Sequence, residues 1–315
     1  MMLWKTTPPR PSRSIDASVI CMFAMLPGLF WTSGPETAKA LRTAGIEQFA
    51  APPEQLGAWN QAGFHATALG DRVKLITPGI DRKVQVASAT TAPWVNSNGW
   101  RLRREPDHQF LYDLPAQAGG AVPLAAAEAF AFNANAMLKI DPASLDAFSK
   151  MLQFLRTVPE RTLPDVADFG FVDDGSDMAG EQLNLLARRN LLFRVLRAPD
   201  PKLRLNIKTN SDDPHLFAAK VREQLKDDQR TLRVYGSEVV LCRLAGDASL
   251  MRIHVLNYGR NNLEGVRLRI RGSYASGKLY GQLASPPLAD FSVADGFTEF
   301  SIPHLGAYAV VDLTR

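Results

Sequence analysis

One stretch of the chain, Pro93-Trp94-Val95-Asn96-Ser97-Asn98-Gly99-Trp100-Arg101, gathers two indoles, two carboxamides and a guanidinium. Trp94 and Trp100 supply flat apolar area of the kind that stacks on sugar rings. Asn96, Asn98 and Arg101 supply donors and acceptors for hydroxyl groups. The sequence places this stretch after a strand over 84–90 (VQVASAT). Loops at the carboxyl ends of parallel strands are where α/β folds take their ligands. The expected chemistry is therefore carbohydrate binding. The same residues also have a structural reading, in which the tryptophans pin a long loop to the body and the asparagines make turns.

Hydrolysis of a glycosidic bond needs two facing carboxyl groups, about 5–9.5 Å apart depending on the stereochemical outcome. The candidates are Glu128, Asp173 and Asp174. Asp173 and Asp174 end an apolar strand over 166–172, a good catalytic address, but they also precede a helix, whose dipole favours carboxylates. Glu128 lies inside an Ala-rich apolar helix over 122–132, on an exposed stripe or buried with a purpose. Asp141, followed by Pro142, reads as a helix cap. His65, His108, His215, His254 and His304 are scattered without metal-ligand spacing. No nucleophile elbow, phosphate loop or dinucleotide motif occurs, so neither metal nor cofactor is expected. His254 alternates with Ile253 and Val255 and is expected to face solvent. Cys242, in the apolar run 239–244, reads as a small buried hydrophobe.

The elements that must position these groups follow two grammars. From Gly28, short apolar strands alternate with helical patterns. Two of those helices open on Pro35 and Pro53 and stop at Gly45 and Gly63. This implies βαβ units and a parallel sheet. About five strands are expected up to 158, with a long polar and aromatic loop reaching to about 118. A second, smaller α/β pattern runs over 161–230. Beyond it no helical period remains, and turns such as Arg260-Asn261-Asn262 and Ala294-Asp295-Gly296 divide alternating strands, the pattern of an antiparallel sandwich. Arg267, Arg269 and Arg271, alternating with Val266, Leu268 and Ile270, read as the solvated face of one strand.

With 315 residues the chain exceeds a single core, and 46% hydrophobic against 22% charged residues excludes global disorder. Lys5, Arg10 and Arg13 precede an apolar run over 17–26 that breaks at Pro27-Gly28. This reads as an export signal over 1–27, too short to span a bilayer by itself. The expected location is secreted or periplasmic, with the membrane met only through that signal. Residues 1–27 carry +2 of the chain's +4. The remainder is too nearly neutral for a nucleic-acid binder.

The end of the chain, Phe300-Ser301-Ile302-Pro303-His304-Leu305-Gly306-Ala307-Tyr308-Ala309-Val310-Val311-Asp312-Leu313, resembles the closing strands of sandwiches that finish many bacterial glycoside hydrolases. The segment 169–190, followed by Phe193-Arg194-Val195, resembles the first βαβ of glutamine-amidotransferase-like modules, which sit between a β/α barrel and a final sandwich in secreted glycosidase-like proteins. The resemblance implies a signal over 1–27, a barrel-like part over 28–160, an amidotransferase-like part over 161–230 and a β-sandwich over 231–315. It departs from those modules in having no cysteine between Ser33 and Leu241, and from a full barrel in its strand count. Two functions are expected: a carbohydrate-directed protein, a glycoside hydrolase if it is an enzyme, or an inert envelope protein used for binding or assembly.

Overall fold

The structure is a computed structural model that describes residues 26–76, 82–84, 93–95, 97–115, 120–259, 261–283 and 287–315. Most of the export signal, Asn96 and most of the strand expected over 84–90 lie outside the described residues.

The first part alternates strand and helix: β1 (Gly28–Phe30), α1 (Ala38–Thr43), β2 (Gln48–Ala50), α2 (Leu56–Gln61), β3 (His65–Thr67) and β4 (Val73–Ile76). A two-stranded antiparallel ribbon, β5 (Arg82–Val84) with β6 (Pro93–Val95), is followed by α3 (Gly99–Arg104), β7 (Gln109–Asp113), α4 (Ala121–Ala131), β8 (Ala136–Lys139) and α5 (Leu145–Leu155). The stops at Gly45 (φ +67°) and Gly63 (φ +82°) are left-handed, the conformation that lets a helix end on glycine. Asp141 accepts from the Ser144 N–H and caps the turn before α5. The loop expected up to 118 is instead interrupted by β6, α3 and β7. These elements are too short for their periods to emerge from a polar, aromatic stretch.

Six strands form one parallel sheet in the order β3-β2-β1-β8-β7-β4. Counted by position in this sheet, the order is 3-2-1-6-5-4. A doubly wound sheet would place the fourth strand beside the first; here the sixth stands there. This is the cyclic order of a barrel, with the ladder between β3 and β4 missing. The break coincides with the link 68–72, too short for the crossover of a dozen or more residues that parallel neighbours need. The region is thus a partial barrel, and it borrows no strand from the second part.

That second part has its own parallel sheet, β10-β9-β11, from β9 (Phe169–Val172), β10 (Phe193–Leu196) and β11 (Asn206–Lys208), with α6 (Asp177–Arg188) and α7 (Pro214–Leu225). The remaining strands are β12 (Leu232–Tyr235), β13 (Val240–Gly246), β14 (Leu250–Asn257), β15 (Leu263–Arg271), β16 (Ser276–Gly281), β17 (Ala289–Ala294), β18 (Phe297–Leu305) and β19 (Tyr308–Thr314). They make two antiparallel sheets, β12-β15-β18-β17 and β13-β14-β19-β16. Arg267 and Arg271 are exposed on the outer face of β15 while Val266, Leu268 and Ile270 are buried.

The partial barrel and the sandwich share a core. Leu241, Leu256, Tyr258, Tyr308 and Val310 join the cluster built on Trp59, Tyr112, Phe130 and Phe148. Helix α4 sits at this seam, and every residue from Leu124 to Ala131 is buried. Its alanines let both neighbours approach closely. The same seam covers β14 on its second face, so His254 is buried at 5% exposure, against the solvent-facing position expected from its alternation. Its ring meets Phe130 of α4 edge-on, at 6.3 Å between centroids.

Candidate functional site

Trp100 lies on α3, not in a loop, and is 6% exposed. Its indole belongs to the core of the second α/β part, with Phe169, Phe171 and Leu183. Gly180 of α6 makes room for it: a Cβ there would stand 3.1 Å from the ring. The Arg101 guanidinium stacks over the indole at 4.2 Å and donates to the Asn98 side-chain oxygen at 3.1 Å. Burial lowers the Arg101 pKa, against the opposing pull of Glu181 and Glu128. Trp94 lies on β6, and its side chain is outside what the structure describes. Trp100 and Arg101 border a cleft of about 650 Å³ between α3 and the start of α6, shared with Lys74, Arg104, Glu105 and Glu181.

The three carboxyl candidates stand in three different settings. Glu128 is fully buried. Its Oε1 accepts from the Asn98 backbone N–H at 2.7 Å and from the Tyr258 hydroxyl; its Oε2 accepts from the Tyr112 hydroxyl at 2.8 Å. Burial raises the carboxyl pKa although all three donors oppose it. Burial and the neighbouring Glu128 also push the Tyr112 and Tyr258 hydroxyls well up. Asp173, buried at the end of β9, is clamped by the fork of Arg104 at 2.8 and 2.9 Å, with Arg197 at 3.7 Å. Asp174 is exposed; hydrogen bonds from the Ser176 hydroxyl and N–H hold its pKa below the usual carboxylate range. Glu128, Asn98 and Arg101 are thus brought together around α3 and α4, whereas Asp173 and Asp174 serve the α3–α6 junction. Each of the three carboxyls is occupied by contacts within the chain.

Strand register reveals a surface that residue types alone did not. Parallel partners point to the same face of a sheet. On one face of the six-stranded sheet, Ala66, Phe49, Leu29, Leu138, Tyr112 and Ile76 are all buried under helices. On the opposite, inner face, His65, Thr67, Gln48 and Leu75 are exposed, Phe30, Met137, Lys139 and Asp113 are half-buried, and Ala50 and Leu111 are buried. At the carboxyl edge of that face, the aligned row runs Thr67, Ala50, Phe30, Lys139, Asp113. Lys139 Nζ lies 3.0 Å from Asp113 Oδ1, and both side chains are about 40% exposed (39% and 40%). The sequence signal for this pair is a charge closing each of two apolar strands.

Among the described residues, no group of His, Cys, Asp or Glu is arranged to hold a metal, and no helix is long and apolar enough to cross a membrane. No protein-family model matches the sequence, and no curated protein does. Among solved structures, the chain is similar to alpha-L-fucosidase isoenzyme 2 from Paenibacillus thiaminolyticus, at 10% identity and a TM-score of 0.49 over 68% of this chain and 62% of that one. It is also similar to an apo exo-carrageenase from Bacteroides ovatus (8% identity, TM-score 0.37, 66% and 42%). A third is a family 30 xylanase from Clostridium acetobutylicum (8% identity, TM-score 0.28, 89% and 59%). The chain spans less than two thirds of the length of each.

Proposed function

We propose that the chain is an exported carbohydrate-binding protein that does not cleave glycosidic bonds. The observation that carries this reading is the inner face of the partial barrel, which the described residues leave exposed or half-buried except at Ala50 and Leu111. At its carboxyl edge, where barrels take their ligands, Lys139, Asp113 and Thr67 supply polar groups and Phe30 supplies apolar area, with Met137 two residues deeper on the same face. That mixture suits a sugar, which presents hydroxyls at its rim and C–H faces above and below. Hydrolysis needs two facing carboxyls. The described strand positions of this face hold one, Asp113, tied to Lys139, while Glu128, Asp173 and Asp174 are engaged elsewhere. The second α/β part is read as an amidotransferase-like support without that chemistry, since no cysteine lies between Ser33 and Leu241.

Glycan-array screening followed by calorimetry on the best hit tests the reading. The double variant Asp113→Ala/Lys139→Ala should lose binding while keeping its melting temperature, because an ion pair this exposed contributes at most about 1 kcal/mol. Unchanged binding in the variant, or turnover of a bound oligosaccharide by the unaltered chain, would overturn it. Export is tested by N-terminal sequencing of material from the native host, which should lack at least the first twenty residues or so.

A further inference from the structure

A second site lies where the three parts of the chain meet. A cavity of about 50 Å³ is lined by Arg161 from the connecting segment, Phe130 from α4, and Arg243, Ala245, Arg252 and His254 from β13 and β14. One water-sized occupant needs roughly 10–15 Å³, so the space is ample for a single small species.

The charged groups around it are donors, and the Asn133 carboxamide, which also lines it, has an amide that can donate as well as an oxygen that accepts. Arg252 spends Nε and one hydrogen of Nη2 on Asp312, both at 2.7 Å, and one hydrogen of Nη1 on the Pro159 carbonyl, also at 2.7 Å. Arg243 spends Nε and part of Nη2 on Asp165, and part of Nη1 on the Ala131 carbonyl. A guanidinium has five N–H bonds, so each side chain keeps two hydrogens beyond these contacts. His254 Nδ1 lies 2.6 Å from the Tyr308 hydroxyl. Burial keeps both rings neutral, holding the His254 pKa well down and the Tyr308 pKa up. The phenol is the stronger acid and donates, which leaves the proton of the imidazole on Nε2. Asp165 and Asp312 balance Arg243 and Arg252. Arg161, exposed, adds a further positive charge, and Arg103, which shares Asp165 at 3.6 Å, also acts on His254, so more guanidinium groups than these two carboxylates surround the space.

We propose that this cavity binds one small monovalent inorganic anion of the chloride class. Water can accept from only two of these donors, whereas a halide accepts from all of them and offsets the remaining charge. The ion would join α4, the connecting segment and the sandwich, so its binding should register as stability of the whole chain.

The test is thermal melting of the full chain in sodium chloride against sodium gluconate at constant ionic strength, with bromide-soaked crystals of the unaltered chain. Chloride should raise the melting temperature by about 2–4 °C at several-fold excess over its Kd and logarithmically beyond it, and bromide should give an anomalous peak in the cavity. Ala245→Leu, which fills the space, should abolish the chloride increment, and Arg161→Ala should raise several-fold the chloride concentration needed for a given increment. A melting temperature indifferent to chloride, an increment that survives in Ala245→Leu, or a bromide map empty at this position would show that the cavity holds water and would overturn the proposal. The bromide map decides the matter even if a variant fails to fold.

Discussion

Glu128 offers the sharpest test of how the partial barrel and the sandwich are joined. Its carboxylate receives one N–H from the turn into α3, one hydroxyl from β7 and one from Tyr258 beyond β14. Glu128→Ala strands three buried donors. At about 1–3 kcal/mol each, these set a floor near 3 kcal/mol, and the cavity adds to it. The expected loss is about 3–5 kcal/mol, or roughly 10 °C in melting temperature. Glu128→Gln keeps the shape and can satisfy all three partners if the Tyr112 hydroxyl turns from donor to acceptor, so its cost should stay near 1 kcal/mol. Burial holds the native carboxyl above its ordinary value of 4.5. Between that value and the folded pKa, the native chain binds a proton that the unfolded chain releases. Stability from this group is therefore full below about pH 4.5 and falls as pH rises through the folded pKa. Gln does not titrate. Denaturant unfolding of wild type and Glu128→Gln from pH 4 to pH 7 should show the difference shifting in favour of the variant as pH rises. A pH-independent difference, or a Gln variant as damaged as the Ala variant, would refute this account of the seam.

Three further outcomes are expected. Trp100→Ala, which empties the junction of α3 and α6, should cost about 3–5 kcal/mol in chemical denaturation; a loss below 1 kcal/mol or so would return Trp100 to the surface. Gly99→Ala is helix-favouring by propensity, but its Cβ would stand 2.2–2.8 Å from the Phe132 ring. It should destabilise by about 1–3 kcal/mol, and a rise in melting temperature would contradict the packing. Cys242 is half-buried rather than fully enclosed, but its surroundings push the thiol well above the ordinary range, so it should react with a chromogenic disulfide far more slowly in the native chain than after unfolding; equally rapid labelling of the native protein is the contrary result.

Local chemistry made the helix ends and the sandwich legible. The paired Ala-Gly stops, the Asp141 cap and the alternation of β15 each declare themselves within a few residues. Whatever depended on distant partners did not. Glu128 reads as an anomaly inside an apolar helix, and only the fold brings in Tyr258 from far along the chain. The alternation of β14 set His254 apart from Ile253 and Val255, but alternation carries no information about what covers its face, here α4. Trp100 has the composition of a binding loop; its burial is decided by Gly180 on α6, whose small size makes the contact possible. The inner-face row escaped for the same reason, since its members come from strands far apart in sequence and only register aligns them.

The missing ladder between β3 and β4 has a consequence for the behaviour of the chain in a crowded solution. A closed barrel has no ends, but among the described residues this sheet has two, each presenting backbone groups that could pair with a neighbouring molecule. Both edges are kept short: three residues in β3 and four in β4. β3 carries the exposed polar residues His65 and Thr67, and Lys74 sits in the middle of β4 paired with Glu105. Brevity, polarity and charge are the means by which natural sheets discourage edge-to-edge growth. Leu75, 58% exposed beside Lys74, marks where that protection is thinnest. Substituting Lys74 with an apolar residue should therefore be felt first as aggregation during concentration, before any loss of fold.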